Sequence, residues 1–153
     1  MKILPSDQIR KIDVETIRKE GISSLELMKR AATAFYNFFV ACCPDKEKEI
    51  LIFAGSGNNG GDALAVARLL HHSGYRVKVY MVDQGSRYSD DCAHNLRRVK
   101  AEHIHCTTVR SNDDLLEVGT SGVIIDGIFG TGLSREIEGN AAKVIEAINA
   151  SGL

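Results

Sequence analysis

From residue 49 onward, short apolar runs rich in β-branched residues alternate with stretches in which apolar side chains recur at helical spacing. The runs "EILIFAG", "YRVKVYMV", "HIHCTTV" and "GVIIDGIFG" predict four strands over 49–55, 75–82, 103–109 and 122–130. Between them, Ala63, Val66, Ala67 and Leu70 stripe one helix, and Cys92, Leu96 and Val99 stripe another that Ser89 is placed to cap. A short helix is expected over 111–119, and Ala141, Val144, Ile145 and Ile148 mark a last one. Ahead of the strands, Ser6 is placed to cap a helix carrying Ile9 and Ile12 and ending at Gly21. Ser23 and Glu26 have the capping-box spacing for a second helix that runs to about Cys43. Its apolar residues fall on two faces, Leu25, Met28, Ala32, Phe35 and Phe39 on one, Leu27, Ala31, Ala34 and Phe38 on the other. Deep burial or a homodimer through helix 24–43 would cover so apolar a surface.

Strands separated by crossover helices imply a parallel sheet covered on both faces, and the near-continuous apolar strands "ILIFA" and "VIID" agree with that. The fold class is α/β, a Rossmann-like three-layer αβα sandwich with a mainly parallel sheet of order 3-2-1-4. No linker or repeat divides residues 1–153, so a single domain is expected. The closing "INASGL" looks like a helix end with Gly152 as its left-handed cap. No strand follows to complete that unit, so the sequence looks C-terminally truncated.

Eight of the 14 glycines fall in residues 55–61 and 127–139, each group directly after an expected strand. Strands one and four are neighbours in a 3-2-1-4 sheet, so both loops should open into the crevice at the topological switch point. The first loop, "GSGNNGGD", matches G-x-G-x-x-G at Gly55, Gly57 and Gly60 and is followed by Asp83 at the end of the second strand. Taken alone, this is a dinucleotide fingerprint, and an NAD-dependent oxidoreductase is one reading. Asn58, Asn59 and Asp62, however, put amides and a carboxylate where inert residues are usual, and Asp62 would repel a phosphate. The bland alternative is that the asparagines cap the helix and Asp62 favours its dipole.

Asp126 stands at the tip of the fourth strand after apolar residues, where a partly desolvated carboxylate suits proton transfer or a bound cation; a turn-capping role is the alternative. Gly130, Thr131 and Gly132 offer backbone N–H groups and a hydroxyl, and Arg135 a forked donor for phosphate unless it merely pairs with Glu136. The oxygens of Asn59 and Asp126 form a hard pair suited to an alkali or alkaline-earth ion and poor for zinc.

Composition narrows the field further. A net charge of −1 over 153 residues, with no basic run interleaved with aromatics, argues against nucleic acid as main ligand. No apolar stretch approaches the ~20 residues that cross a bilayer. Four cysteines without ligand or framework spacing fit a reducing, cytoplasmic setting.

The residues "GSGNNGGDALAVARLL", "IIDGIFGTGLSREIEG", "MKILPSDQIRKID" and "GISSLELMKRAA" together resemble the YjeF N-terminal domain family, the NAD(P)H-hydrate epimerases. The resemblance implies a nicotinamide cofactor repair enzyme that interconverts the R and S forms of NADHX and NADPHX. It implies that Asn58, Asn59, Gly60, Gly61 and Asp62, with Gly130, Thr131, Gly132, Leu133, Ser134, Arg135 and Glu136, hold the substrate. Asn59 and Asp126 would bind potassium, and Asp126 is the catalytic candidate. Family members continue into a D-x-P-S-G segment, which this sequence does not reach. Lys29 and Ala32 replace the acid and glycine usual on the second helix. In many bacteria the domain is fused to a dehydratase, while other proteins of the fold are non-catalytic binding modules, a second alternative here.

Overall fold

The computed structural model describes residues 4–83, 85–110, 114, 121–131, 133 and 136–153. Two helices, α1 (Ser6–Glu20) and α2 (Ser24–Cys42), precede β1 (Glu49–Ala54), α3 (Asn58–His72), β2 (Arg76–Val82), α4 (Asp90–Ala101), β3 (His105–Val109), β4 (Val123–Gly127) and α5 (Gly139–Ala150). The four strands form one sheet of order β3-β2-β1-β4, every pairing parallel, as expected. The short helix expected over 111–119 lies outside the described residues, Asp114 excepted.

Local chemistry explains most boundaries. Ser23 and Ser89 cap α2 and α4 by accepting from the N–H groups of Glu26 and Cys92. Gly21 ends α1 in the left-handed region at φ 63°, its N–H bonding back to Ile17 O. Two expectations need correction. Pro5, not Ser6, is the N-cap of α1, and Ser6 is already helical. The third strand starts at His105 because His103 adopts a positive φ of 55° in the turn that leaves α4.

Side-chain alternation along β1 divides the interior in two. Ile50, Ile52 and Ala54 face α2, α3 and α4, packing with Leu64, Leu70, Val79 and Val99. Leu51 and Phe53 face the opposite layer with Tyr80, Val82, Val109 and α5's Ala141 and Val144. Phe53 and Tyr80 stack there with ring centroids 4.9 Å apart. The three-layer sandwich is thus observed, with β1 buried on both faces.

The first helix lies on the surface, and the second departs from expectation. No residue of α1 is buried, and its apolar Ile9 and Ile12 are exposed. Only one face of α2 is covered: Met28, Ala32 and Phe39 are buried, while Phe35 and Phe38 are 42% and 67% exposed. Deep burial is therefore not how this helix is covered.

At the tips of β1 and β4 the chains run too close for side chains. Gly55 N–H donates to Gly127 O at 3.1 Å. A Cβ on Gly60 would sit 1.9 Å from Gly55 O, and one on Gly127 would sit 2.4 Å from the Ala63 Cβ. Gly127→Ala should therefore push β4 from α3 and destabilise the fold by roughly 1–3 kcal/mol. Adding Ala63→Gly should recover part of that loss, giving a favourable coupling of about 1 kcal/mol in a urea-denaturation double-mutant cycle. Strictly additive effects would mean the two positions do not meet.

Candidate functional site

The site begins with the glycines of the first loop, which serve different ends. Gly57 is the N-cap of α3 and has no side chain with which to cap it. A Cβ there would meet nothing within 4 Å, so this glycine faces open space. Gly60 and Gly61 are buried, one against the Gly55 carbonyl and the other against Met28. Their missing side chains allow close packing, and Gly57 leaves the helix end accessible. The first-turn N–H groups of α3 have no intrahelical acceptor, and the positive end of the helix dipole lies with them.

Asn58 and Asn59 are the first residues of α3 and not its caps. Asn59 reaches instead across to the second loop, its Nδ2 donating to Phe129 O at 2.9 Å. Gly130 permits this, since a Cβ there would lie 3.1 Å from the Asn59 Cβ. The two glycine loops are thereby joined at one point.

Between them opens a cleft of about 690 Å3, lined by Ser56, Gly57, Asn58, Asn59, Asp62, Ile128, Phe129, Gly130, Thr131 and Leu133. That volume lies within the roughly 300–1,000 Å3 of small-molecule sites. Its remaining wall was not foreseen: Ile9, Arg10 and Asp13 of α1 close it. The i, i+3 spacing of Arg10 and Asp13 places both on one helix face, which was the available signal. A neighbouring cleft of about 530 Å3 holds Leu133 and Glu136 together with Asp83, Arg110 and the start of α5. Gly132, Ser134 and Arg135 lie outside the described residues.

Asp126 occupies a separate, smaller cavity of about 210 Å3 with Asn59, Asp62, Gly127 and, from α2, Ala31, Ala32 and Phe35. Asn59 and Asp62 line both spaces. The expected partial desolvation of Asp126 is not observed, because the residue is exposed. Its Oδ1 accepts from Ile128 N–H at 2.9 Å, the turn contact weighed as an alternative, which leaves Oδ2 without that bond. Ala32, where the resemblance led to an expectation of glycine, is part of the cavity wall.

Asp62 is the carboxylate that burial perturbs. Desolvation first, and then the negative charges of Asp13 and Asp91, push its carboxyl up to about 6. No described donor pairs with it.

A doubly wound α/β sheet with a helix N-terminus and a polar cleft at its switch point defines a nucleotide-binding class of protein. Comparison with known proteins narrows this. The chain belongs to the family described as YjeF-related protein N-terminus, which matches residues 24–153. It is 36% identical over 148 residues to an NAD(P)H-hydrate epimerase of Limosilactobacillus reuteri, covering 97% of this chain and 68% of that protein. It is 34% identical over 155 residues to the bifunctional NAD(P)H-hydrate repair enzyme Nnr of Thermofilum pendens, covering 99% of this chain and 29% of that protein. The crystal structure of yeast ynu0 has the same fold, with a TM-score of 0.85, 22% identity, and 99% and 66% of the two chains covered.

The raised Asp62 makes a stability prediction. Its folded carboxyl holds a proton to higher pH than the unfolded one, so its burial is harmless below about pH 4 and destabilises increasingly up to about 6. Asp62→Asn should be more stable than the parent at pH 7 by about 1 kcal/mol, allowing for solvent screening. The two should converge near pH 4 in urea midpoints, and a pH-independent gap would contradict the shift.

Proposed function

We infer that this protein is an NAD(P)H-hydrate epimerase, an isomerase that interconverts the R and S forms of hydrated NADH and NADPH and so returns damaged cofactor to use. The observation that carries the reading is the joining of the two glycine loops by Asn59 and Phe129 into one cleft at the switch point. Membership of a family whose named relatives are epimerases supports it. An oxidoreductase needs no asparagine pair at the helix start, and a passive binding module needs no carboxylate at Asp126.

Substrate contacts are assigned to Asn58–Asp62 and to the 130–136 loop, with phosphate at the exposed end of α3 and the nicotinamide hydrate toward Asp62. The residues fit a potassium ion: the Asn59 amide oxygen and the Asp126 carboxylate are hard oxygen donors on one cavity. Such an ion would supply fixed positive charge beside the reacting ring. Epimerisation changes no atoms overall, so the site must take up and return what it removes. Asp126 is assigned either to proton handling or to placing that charge. All four cysteines are free thiols, which supports a reducing cytoplasm.

Asp126→Ala should lower the rate of exchange between the NADHX epimers, followed by chromatography, by about 10²- to 10⁴-fold. Replacing potassium with a large organic cation should slow the parent and barely affect the variant. A loss under twofold would remove Asp126 from the chemistry.

The same proposal covers α2 with a second copy of the chain, since Phe35 and Phe38 stand exposed on a helix of which only one face is packed. Phe38→Glu should then shift the species seen by analytical ultracentrifugation from dimer to monomer. A parent that sediments as a monomer at all concentrations would end this part.

A further inference from the structure

We propose that Arg10 of α1 grips a phosphate group of the dinucleotide, which makes the first helix a working wall of the site. The assignment rests on reading the 690 Å3 cleft as the dinucleotide site. Among the described residues lining that cleft, Arg10 is the one Lys or Arg, and it shares the lining with Ser56, Gly57 and Asn58 at the positive end of α3. It is exposed, and among the described residues it makes no hydrogen bond or ion pair. Three other basic residues of the two helices are held: Arg18 and Lys19 by Glu15, and Arg30 on α2 by Glu20.

Charge within the cleft sharpens the argument. Asp13 and Asp62 contribute carboxylates to the same lining. A phosphate entering this cleft is repelled by both carboxylates, and more strongly than in bulk water because the effective dielectric beside a protein is lower. A helix dipole, worth about half a charge, offsets such repulsion incompletely. A guanidinium supplies the missing positive charge and presents a planar fork that matches two phosphate oxygens. Arg10 and the N-terminus of α3 would then both hold the phosphate, away from Asp62.

The test compares Arg10→Gln, Arg10→Lys and, as a control outside the cleft, Arg18→Gln, each with NADHX and NADPHX. Arg10→Gln should raise KM about tenfold or more while kcat falls far less, because a charged hydrogen bond made equally in ground and transition states is lost. Arg10→Lys should recover part of the affinity, and added salt should narrow the gap between parent and Arg10→Gln. Arg18→Gln should match the parent.

Equal losses on the two substrates assign the pyrophosphate as the group gripped, and a loss confined to NADPHX assigns the adenosine 2′-phosphate. KM within twofold of the parent on both substrates overturns the assignment of Arg10 alone. Calorimetric titration with NAD+ and NADP+ separates the two levels of inference. A parent that neither exchanges epimers nor binds these nucleotides overturns the reading of the cleft, and this assignment with it.

Discussion

The amide of Asn59, donating to the carbonyl of Phe129, stands where two strand tips converge with no side chains between them. That convergence is the constraint on which the site depends. Parallel neighbours β1 and β4 run in register from Ile50–Val123 to Ala54–Gly127, and the ladder continues one step further through Gly55 N–H. Beyond that step each chain must turn away, one into α3 and the other into the 128–133 loop. Glycine at 60 and 127 lets α3 start hard against both strands. Any thicker backbone packing would widen the gap that Asn59 spans, and the cleft would lose its floor.

This geometry separates tasks that a plain dinucleotide fold combines. The end of α3 offers N–H groups and positive dipole, which suit an anion. About one turn later, burial pushes the Asp62 carboxyl up to about 6. Asn59 lies between the two and belongs to both spaces. A substrate with phosphates at one end and a neutral, hydrated ring at the other fits that gradient. A carboxylate that repels phosphate is tolerable beside a neutral ring and would be harmful beside a phosphate.

The core of this arrangement was legible in the sequence because it is written in backbone requirements. Alternating apolar runs and stripes specified four strands and their helices, and glycines clustered after strands one and four pointed to a shared crevice. What stayed hidden depends on tertiary placement. Ile9 and Ile12 marked a first helix but not its place, and α1 lies on the surface and contributes Arg10 and Asp13 to the cleft. Gly60 and Gly61 looked like openings for a ligand, whereas Gly57 is the open position and the other two are filled by packing. The hydrophobic run before Asp126 suggested a partly desolvated carboxylate, but on a strand at the edge of the described sheet the Asp126 side chain is exposed.

The residues that set this site apart on α3 and β4 are joined by others from outside the doubly wound core. Strands and crossover helices create the switch point, but they would do so for any member of the fold class. Here α1 closes the large cleft, and α2 closes the small cavity with Ala31, Ala32 and Phe35. Replacing glycine by alanine at position 32 narrows that cavity by a methyl group without closing it, since Ala32 is itself almost fully buried in its wall. The two N-terminal helices thus set how much room and what charge surround Asn59, Asp62 and Asp126. The sheet supplies the place where these residues meet.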